Sequence, residues 1–381
     1  MSIDELTILS RYYGADPEYV IAGGGNTSFK DASTLYIKGS GTALVDIQPQ
    51  GFVRMDRQAL GRIWEKTYPV DADEREQAVL ADMMEARKPG EAQKRPSVET
   101  LLHDLLPFAY VVHTHPALVN GLTCSRQGKG AAKALFGDEA IWIESTNPGY
   151  ILSGKVKAAM EAHRMRTGKN AQIILLQNHG VFVSADDVEG IKAIYRRIMD
   201  ALRQKIKRQA DFSDAVTSKG RSQEIALALA QQGQATTVLF QWNREIATLV
   251  KDQAAFYPVS SAFTPDHIVY AGSDPLFIET LPDDPERIPT LIQEAVKAHI
   301  ETTRMPKIVA VQELGVFGIG TGEQAAARAL ELFQDTIKVA VYTESFGGPE
   351  FMTQDKIDFI NNWEVERYRT RVSTEADQGS K

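Results

Sequence analysis

The chain has 381 residues, of which 43% are hydrophobic and 24% are charged, as is usual for a globular protein with a large core. Asp and Glu total 50 against 42 Lys and Arg, and the net charge of -8 argues against a nucleic-acid-binding protein. Cys124 is the only cysteine, which excludes an intrachain disulfide and indicates a small buried residue. The sequence has no apolar run of about 18 residues and no signal-peptide pattern at its start, so we expect a cytoplasmic protein without a membrane span.

The N-terminal part of the sequence predicts a helix followed by two glycine-containing turns. Apolar residues at helical spacing predict a helix over residues 3–14. Glycines at 23–25 and at 39 and 41 then flank a predicted strand near residues 35–38. Glycine-rich turns allow backbone N–H groups to converge on an anion, but the same pattern also fits two tight turns around a strand. The spacing matches neither a Walker loop nor a Rossmann fingerprint.

Charged helices and a helix start follow. Residues 56–66 and 73–88 have the spacing of surface helices. Pro96 and Ser97 then predict the start of another helix, with Ser97 as its cap and Glu99 in its first turn. Glu99 has two readings at this stage, a charge that complements the helix dipole or a site residue. His103, one turn later, is a packed helix residue or a further site residue.

The stretch from Tyr110 to Pro116 is the most informative part of the sequence. Its first four residues predict a buried strand, and a strand places residues i and i+2 on the same face. His113 and His115 therefore leave one face together. Because neutral imidazole is a common ligand of zinc and related ions, this pair indicates a metal site, with plain packing as the alternative.

The rest of the first half alternates helices and strands. The patterns predict helices over residues 117–126, 152–166 and 186–209 and strands over residues 140–143 and 173–176. His179 and Gly180 follow the second of these strands, and a further strand begins immediately after them. A histidine at a strand end beside a glycine is well placed to face a cleft.

The second half contains a faint copy of the first. A linker is predicted over residues 211–222, a helix over 222–231 and strands near 267–270 and 308–312. Residues 307–317 are identical to residues 172–182 at five of eleven positions, and the helices upstream, 156–163 and 292–299, also match. Leu314 stands where His179 stands. We interpret the second half as a partly duplicated, metal-free copy; the alternative is a coincidence of two strand–turn–strand units.

Five short motifs in one order resemble the class II aldolase/adducin family. They are Gly-Asn-Thr-Ser at 25–28, Ser-Gly at 40–41, Ser-x-Glu at 97–99, His-x-His at 113–115 and His-Gly at 179–180. The likeness covers about residues 5–210, which in the family form one three-layer α/β/α unit. It is greatest with the aldolase half of bifunctional rhamnulose phosphate aldolase/short-chain dehydrogenase proteins, and Thr-Pro-Asp-His at 264–267 extends it into the second half.

The resemblance implies a domain division. We expect a metal domain over residues 1–212 and a second α/β domain over residues 213–381. The bifunctional proteins continue into a dehydrogenase domain, whereas this sequence ends soon after Trp363 and Tyr368. We therefore expect no NAD site.

The resemblance also implies roles for individual residues. His113, His115 and His179 would bind Zn²⁺ or another divalent ion and leave positions open for substrate. Glu99 would transfer a proton, a task that suits a carboxylate whose pKa an apolar pocket raises towards neutrality. The residues implied to hold a substrate phosphate are Gly25, Asn26, Ser40, Gly41 and Ser97. Family sites often include a C-terminal tyrosine, for which Tyr342 and Tyr368 compete, so neither is assigned.

The function implied is that of a lyase that breaks or forms a carbon–carbon bond in a sugar phosphate or related ketose through a metal-stabilised enediolate. Epimerases, a dehydratase and decarboxylases of the same family use the same histidines and remain alternatives. A non-catalytic adducin-like assembly module and a metal-binding regulator are the other classes. The expected partners are a small-molecule sugar or sugar phosphate and further copies of the chain, as a tetramer or a dimer, with no nucleic acid or membrane.

Overall fold

The computed structural model describes residues 2–216, 219–233 and 237–363, which form two compact units. The first consists mainly of residues 2–123 and 127–205, and the second mainly of residues 206–361. The division lies a few residues before the boundary predicted from the sequence. Among the described residues, no helix has both the length and the apolar character needed to cross a membrane.

The first unit is built on a seven-stranded mixed sheet. Its strands are β1 (Asn26–Lys30), β2 (Thr34–Lys38), β3 (Phe52–Asp56), β4 (Tyr110–Thr114), β5 (Ala140–Ile143), β6 (Ile173–Leu176) and β7 (Gly180–Ala185). They lie in the order β3-β2-β1-β4-β7-β6-β5, and every neighbouring pair is antiparallel except β5 and β6. β4, which carries His113 and ends one residue before His115, is the central strand of the seven.

Eight helices accompany this sheet and cover both of its faces. They are α1 (Ile3–Gly14), α2 (Arg57–Ile63), α3 (Ala72–Glu85), α4 (Thr100–Leu105), α5 (Ala117–Thr123), α6 (Gly128–Phe136), α7 (Tyr150–Thr167) and α8 (Val188–Arg203). Successive side chains of β1 point to opposite faces of the sheet and contact different helices. The Thr27 hydroxyl is hydrogen-bonded to Ser10 of α1, whereas the Ser28 hydroxyl is hydrogen-bonded to His103 of α4. The predicted α/β class with helices on both sides of a sheet is confirmed.

The order of the strands brings the predicted site residues to one edge of the sheet. β4 and β6 end at the edge where β1 and β7 begin, because their pairing is antiparallel. His115 lies just after the end of β4, Asn26 starts β1, and Gly180 starts β7. Ser40 follows the end of β2 at the same edge, and the bridge between Gly39 and Pro96 brings in the segment that carries Glu99.

The second unit has a smaller, four-stranded sheet. Its strands are β8 (Thr237–Gln241), β9 (Leu276–Ile278), β10 (Ile308–Val311) and β11 (Gly315–Gly320), in the order β8-β11-β10-β9. Its helices are α9 (Ser222–Ala230), α10 (Arg244–Leu249), α11 (Gln253–Phe256), α12 (Pro265–Ala271), α13 (Ile288–Ile300), α14 (Glu323–Thr343) and α15 (Gln354–Asn362). A second α/β region, as expected, follows the first.

Several local predictions were wrong. Residues 267–270 are not a strand but part of α12, because Thr264 caps the helix through the His267 N–H and Pro265 fits its first turn. Ser97 does not cap α4: Glu99 occupies the N-cap position, without a side-chain capping bond. The helix predicted over residues 117–126 ends at Thr123.

Candidate metal centre

Three histidines from two distant parts of the first unit meet at the edge of the sheet. One ring nitrogen from each of His113, His115 and His179 lies within 4.8 Å of the other two. Among the described residues, these three form a group of side chains that could hold a metal ion. The Nε2 atoms of His113 and His115 are 2.8 Å apart. His113 and His179 are buried, and His115 is half-buried.

His113 is fixed by the neighbouring strand. Its Nδ1 lies 3.0 Å from the carbonyl oxygen of Val181 on β7, and because a carbonyl can only accept, Nδ1 carries the proton. The His113 ring also stacks on Phe182, with centroids 4.0 Å apart. The deprotonated Nε2 therefore faces the other two imidazoles, which is the arrangement of a metal-ligating histidine held by a backbone carbonyl.

His179 reaches the cluster through a strained turn between β6 and β7. Asn178 has a φ of 58°, a left-handed conformation that asparagine tolerates better than most residues. Gly180 is required by packing, because a Cβ there would lie 2.6 Å from both His115 Cδ2 and the Thr114 carbonyl oxygen. The His-Gly pair seen in the sequence thus places one imidazole and leaves space for another.

Glu99 lies beside the histidines. Its Oε1 is 3.1 Å from His113 Nε2 and 3.7 Å from His179 Nε2. Burial raises the pKa of the Glu99 carboxyl, but the electrostatic effect of the neighbouring His113 and His179 imidazoles outweighs burial and holds the pKa well below its usual range. The expected upward shift was therefore wrong in direction, and the carboxylate is ionised at neutral pH.

Two of the residues implied to bind phosphate, Asn26 and Ser97, contact Glu99. Asn26 Nδ2 donates to Ser97 Oγ and, at 3.2 Å, to Glu99 Oε2. Ser97 Oγ also accepts from the Glu99 N–H at 3.2 Å. Asn26 is only 4% exposed, and its Oδ1 is buried without a hydrogen-bond partner in the described part of the chain. Asn26 therefore orients the carboxylate, Ser97 holds the Glu99 backbone, and one buried acceptor is left at the site.

The glycines and Ser40 lie on the same edge but differ in their surroundings. Gly25 has a φ of 74°, which strains any other residue, and a Cβ there would lie in tight contact, 3.2 Å from the His113 carbonyl oxygen. The Ser40 N–H donates to the Arg95 carbonyl oxygen at 2.8 Å and is therefore already paired. Gly41 is exposed and has a φ of 83°. Their role in binding phosphate stays a prediction.

The other sequence candidates do not join the cluster. His103 is fully buried, with Nδ1 2.8 Å from Ser28 Oγ and its ring edge-on to Phe182, so it packs under the site. Tyr342 lies on α14 of the second unit, where its hydroxyl donates to Gln209 at 2.6 Å. Tyr368 lies outside the described residues.

Three supporting residues escaped the sequence analysis. The Val181 carbonyl fixes the His113 tautomer, Phe182 supports the ring, and Asn178 supplies the left-handed turn. Only the Asn-His-Gly order carried a recognisable signal, since asparagine and glycine both favour positive φ. The strand pairing that brings Val181 beside His113 is set by the fold.

The donor set fits a divalent ion. Three imidazole nitrogens with an adjacent carboxylate match the ligand types of zinc and similar ions, and three neutral ligands leave the charge of the ion intact. The Nδ1–carbonyl bond of His113 supplies the outer support that such ligands require.

Residues 5–204 match the family model described as the class II aldolase and adducin N-terminal domain. The uncharacterized oxidoreductase YuxG of Bacillus subtilis is 22% identical over 413 residues; the match covers 97% of this chain and 58% of YuxG, so the chain spans less than two thirds of that relative.

Solved structures match the N-terminal half. The N-terminal class II aldolase domain of a conserved protein from Thermoplasma acidophilum is 26% identical, with a TM-score of 0.45 and coverage of 54% of this chain and 93% of that one. L-fuculose-1-phosphate aldolase from Thermus thermophilus is 15% identical, with a TM-score of 0.32 and coverage of 52% and 92%. Since the family model matches more than half of the chain, this protein belongs to the class II aldolase and adducin family.

Proposed function

We propose that the chain is a metal-dependent lyase that cleaves or forms a carbon–carbon bond in a sugar phosphate or related ketose. The observation that carries this proposal is the meeting of His113, His115 and His179 with the Glu99 carboxylate, 3.1 Å from His113. Zinc, or another divalent ion, is the proposed cofactor. Held by these histidines, the ion would supply a Lewis acid that stabilises negative charge on the substrate carbonyl and the neighbouring hydroxyl oxygen.

Glu99 is the proposed proton-transfer group. Because its pKa is held low, the carboxylate begins the cycle as a proton acceptor. The proton it takes up is then available for the carbon that carries the electron pair after the carbon–carbon bond breaks. Asn26 orients the carboxylate for both transfers by donating to it, and Ser97 holds the Glu99 backbone N–H.

The phosphate end of the substrate is proposed to lie beside the same edge. Gly25, Asn26, Ser40, Gly41 and Ser97 remain the candidate residues for it. Within the described part of the chain the Asn26 Oδ1 has no hydrogen-bond donor, and since a buried acceptor without a donor is costly unless a ligand or water satisfies it, this atom supports contact with a hydroxyl group of the substrate and not with its phosphate oxygens. A substrate hydroxyl group would meet that need.

A panel of ketose 1-phosphates and sugar-acid phosphates, incubated with the zinc-loaded and the chelator-treated protein, tests the proposal. We expect metal-dependent release of an aldehyde together with a three-carbon phosphate. A product that is an isomer of the substrate would instead assign an epimerase, and release of carbon dioxide from a sugar-acid phosphate would assign a decarboxylase. Binding of metal without turnover of any substrate in the panel would contradict the lyase proposal.

A further inference from the structure

The two sheets share their strand order. In the second unit the order is β8-β11-β10-β9, and in the first unit four neighbouring strands lie in the order β4-β7-β6-β5. The directions agree as well: β4 with β7, and β7 with β6, are antiparallel, as are β8 with β11 and β11 with β10. The last pair is parallel in both units. The smaller sheet therefore reproduces the half of the larger one that begins at β4.

The strands also pair in the same register. In the first unit Ile143 lies opposite Leu176, and in the second Ile278 lies opposite Val311. Ile278 lies 135 residues after Ile143, and Val311 lies 135 residues after Leu176. The same interval separates residues 307–317 from residues 172–182. Since a shift of one residue would turn every side chain to the other face, this agreement is not a consequence of strand order alone.

The turn between the last two strands is the same in both units. Asn178 and Glu313, equivalent in the repeat, have φ values of 58° and 56°, although glutamate rarely adopts this conformation. The Asn178 N–H donates to the carbonyl of Thr123, where α5 ends, at 3.2 Å. The Glu313 N–H donates to the carbonyl of Val250, directly after α10, at 2.8 Å.

These equivalences locate the counterparts of the metal ligands. His113 lies opposite Phe182 in the first unit, and Phe240 lies opposite Phe317 in the second. Phe317 is the repeat partner of Phe182, so Phe240 stands at the position of His113. Two residues along the same strand, Trp242 stands at the position of His115.

We propose that the second unit is a copy of the metal-binding half of the first, in which Phe240, Trp242 and Leu314 replace the three histidines. All three replacements are apolar, and two of them, Phe240 and Leu314, contact the core of the second unit. Leu314 and Phe317 belong to the buried cluster of this unit, and Phe240 packs against it. The position proposed to bind an ion in the first unit is thus occupied in the second by packed apolar side chains, those of Phe240 and Leu314, and restoring the histidines should create a second metal site.

An experimental structure of the wild-type chain provides the first test. Residues 237–320 are superposed on residues 110–185 after removal of the unmatched loops. We expect the Cα atoms of Phe240, Trp242 and Leu314 to coincide with those of the three histidines far more closely than the spacing of neighbouring strands, about 4.8 Å. A displacement by a full strand or by one residue of register would overturn the inference.

The second test adds the ligands. In the variant F240H/W242H/L314H, titration with Co²⁺ followed by absorption spectroscopy should show one more bound equivalent than the wild type. The matched control is L239H/Q241H/L314H, which adds the same number of histidines but places the two histidines at 239 and 241 on the opposite face of the sheet. The control should gain no equivalent.

The outcomes separate the alternatives. An extra equivalent in the first variant alone supports the repeat, whereas an extra equivalent in both, or in neither when circular dichroism shows both folded, overturns it. If the first variant does not fold, the superposition decides. A wild-type chain that binds no ion would refute the proposed metal centre but not the repeat, because the superposition needs no metal.

Discussion

Gly180 and His115 pack directly against each other at the start of β7. A methyl group at Gly180 would lie 2.6 Å from Cδ2 of the imidazole and equally close to the Thr114 carbonyl oxygen. Since real Cβ contacts do not reach such distances, any side chain here must displace the ring or the strand that carries it. Gly180 is therefore part of the proposed metal centre, although it provides no ligand.

Gly180→Ala should weaken metal binding. Displacement of His115 should lower the metal affinity by about 10- to 100-fold, the range found when support of a ligand is lost, and overpacking should cost about 1–3 kcal/mol of stability. Calorimetric titration with Zn²⁺ and thermal unfolding measure the two effects. Gly154→Ala is the control, because it lies in α7 with no atom near the added methyl group, and it should be stabilising by up to about 1 kcal/mol. Equal affinities in the two variants would contradict the role assigned to Gly180.

His113→Ala should abolish stoichiometric metal binding. The variant removes one of three protein ligands and also the ring that stacks on Phe182. Metal content after dialysis, measured by atomic emission, should fall from stoichiometric to background. His299→Ala removes a half-buried imidazole in the second unit and should leave the metal content unchanged. Retention of metal by His113→Ala would show that the cluster does not bind it.

Glu99→Gln should separate binding from proton transfer. The amide keeps the shape of the side chain but cannot accept a proton, so turnover should fall by at least about 100-fold. Metal content should persist, because the three histidines are unchanged. Glu189→Gln, with a side chain 81% exposed, provides the control. Activity within a few-fold of wild type would exclude Glu99 as the proton-transfer group.

Much of the centre could be predicted from sequence because its ligands lie in short local patterns. The i, i+2 rule placed His113 and His115 on one face, and the strand–His-Gly–strand pattern placed His179 at a strand end. Their meeting could not be derived from one chain segment, since it depends on β4 pairing with β7 across a long sequence separation. The resemblance to a family supplied that link.

The predictions that failed depend on tertiary context. The pKa of Glu99 was expected to rise because an apolar pocket was assumed, whereas imidazoles that surround the carboxylate reverse the direction. The sequence at 267–270, His-Ile-Val-Tyr, has strand-like residues, yet the Thr264 cap and Pro265 start a helix there. In both cases a specific neighbour outweighs the average preference of the residue type.

Lys30 is a buried cation at the C-terminal end of β1. It is 6% exposed, and its Nζ donates to the His103 carbonyl oxygen at 2.5 Å. Burial lowers its pKa to about 7; attraction to Asp104 opposes this shift, and repulsion by Arg57 adds to it. The unfolded chain binds this proton more tightly than the native state. The native state is therefore penalised at low pH, and the penalty disappears as the pH rises from about 7 towards the ordinary lysine pKa of about 10.4.

Lys30→Met removes this titration while keeping an unbranched side chain. The free energy of unfolding of the wild type, minus that of Lys30→Met, should rise between pH 7 and pH 10 by a few kcal/mol, with a slope no steeper than about 1.4 kcal/mol per pH unit. Urea unfolding at several pH values measures it. In Lys129→Met, where the side chain is 68% exposed, the corresponding difference should change by less than about 1 kcal/mol. A difference for Lys30→Met that is independent of pH, or that falls as the pH rises, would show that Lys30 remains protonated in the native state throughout this range.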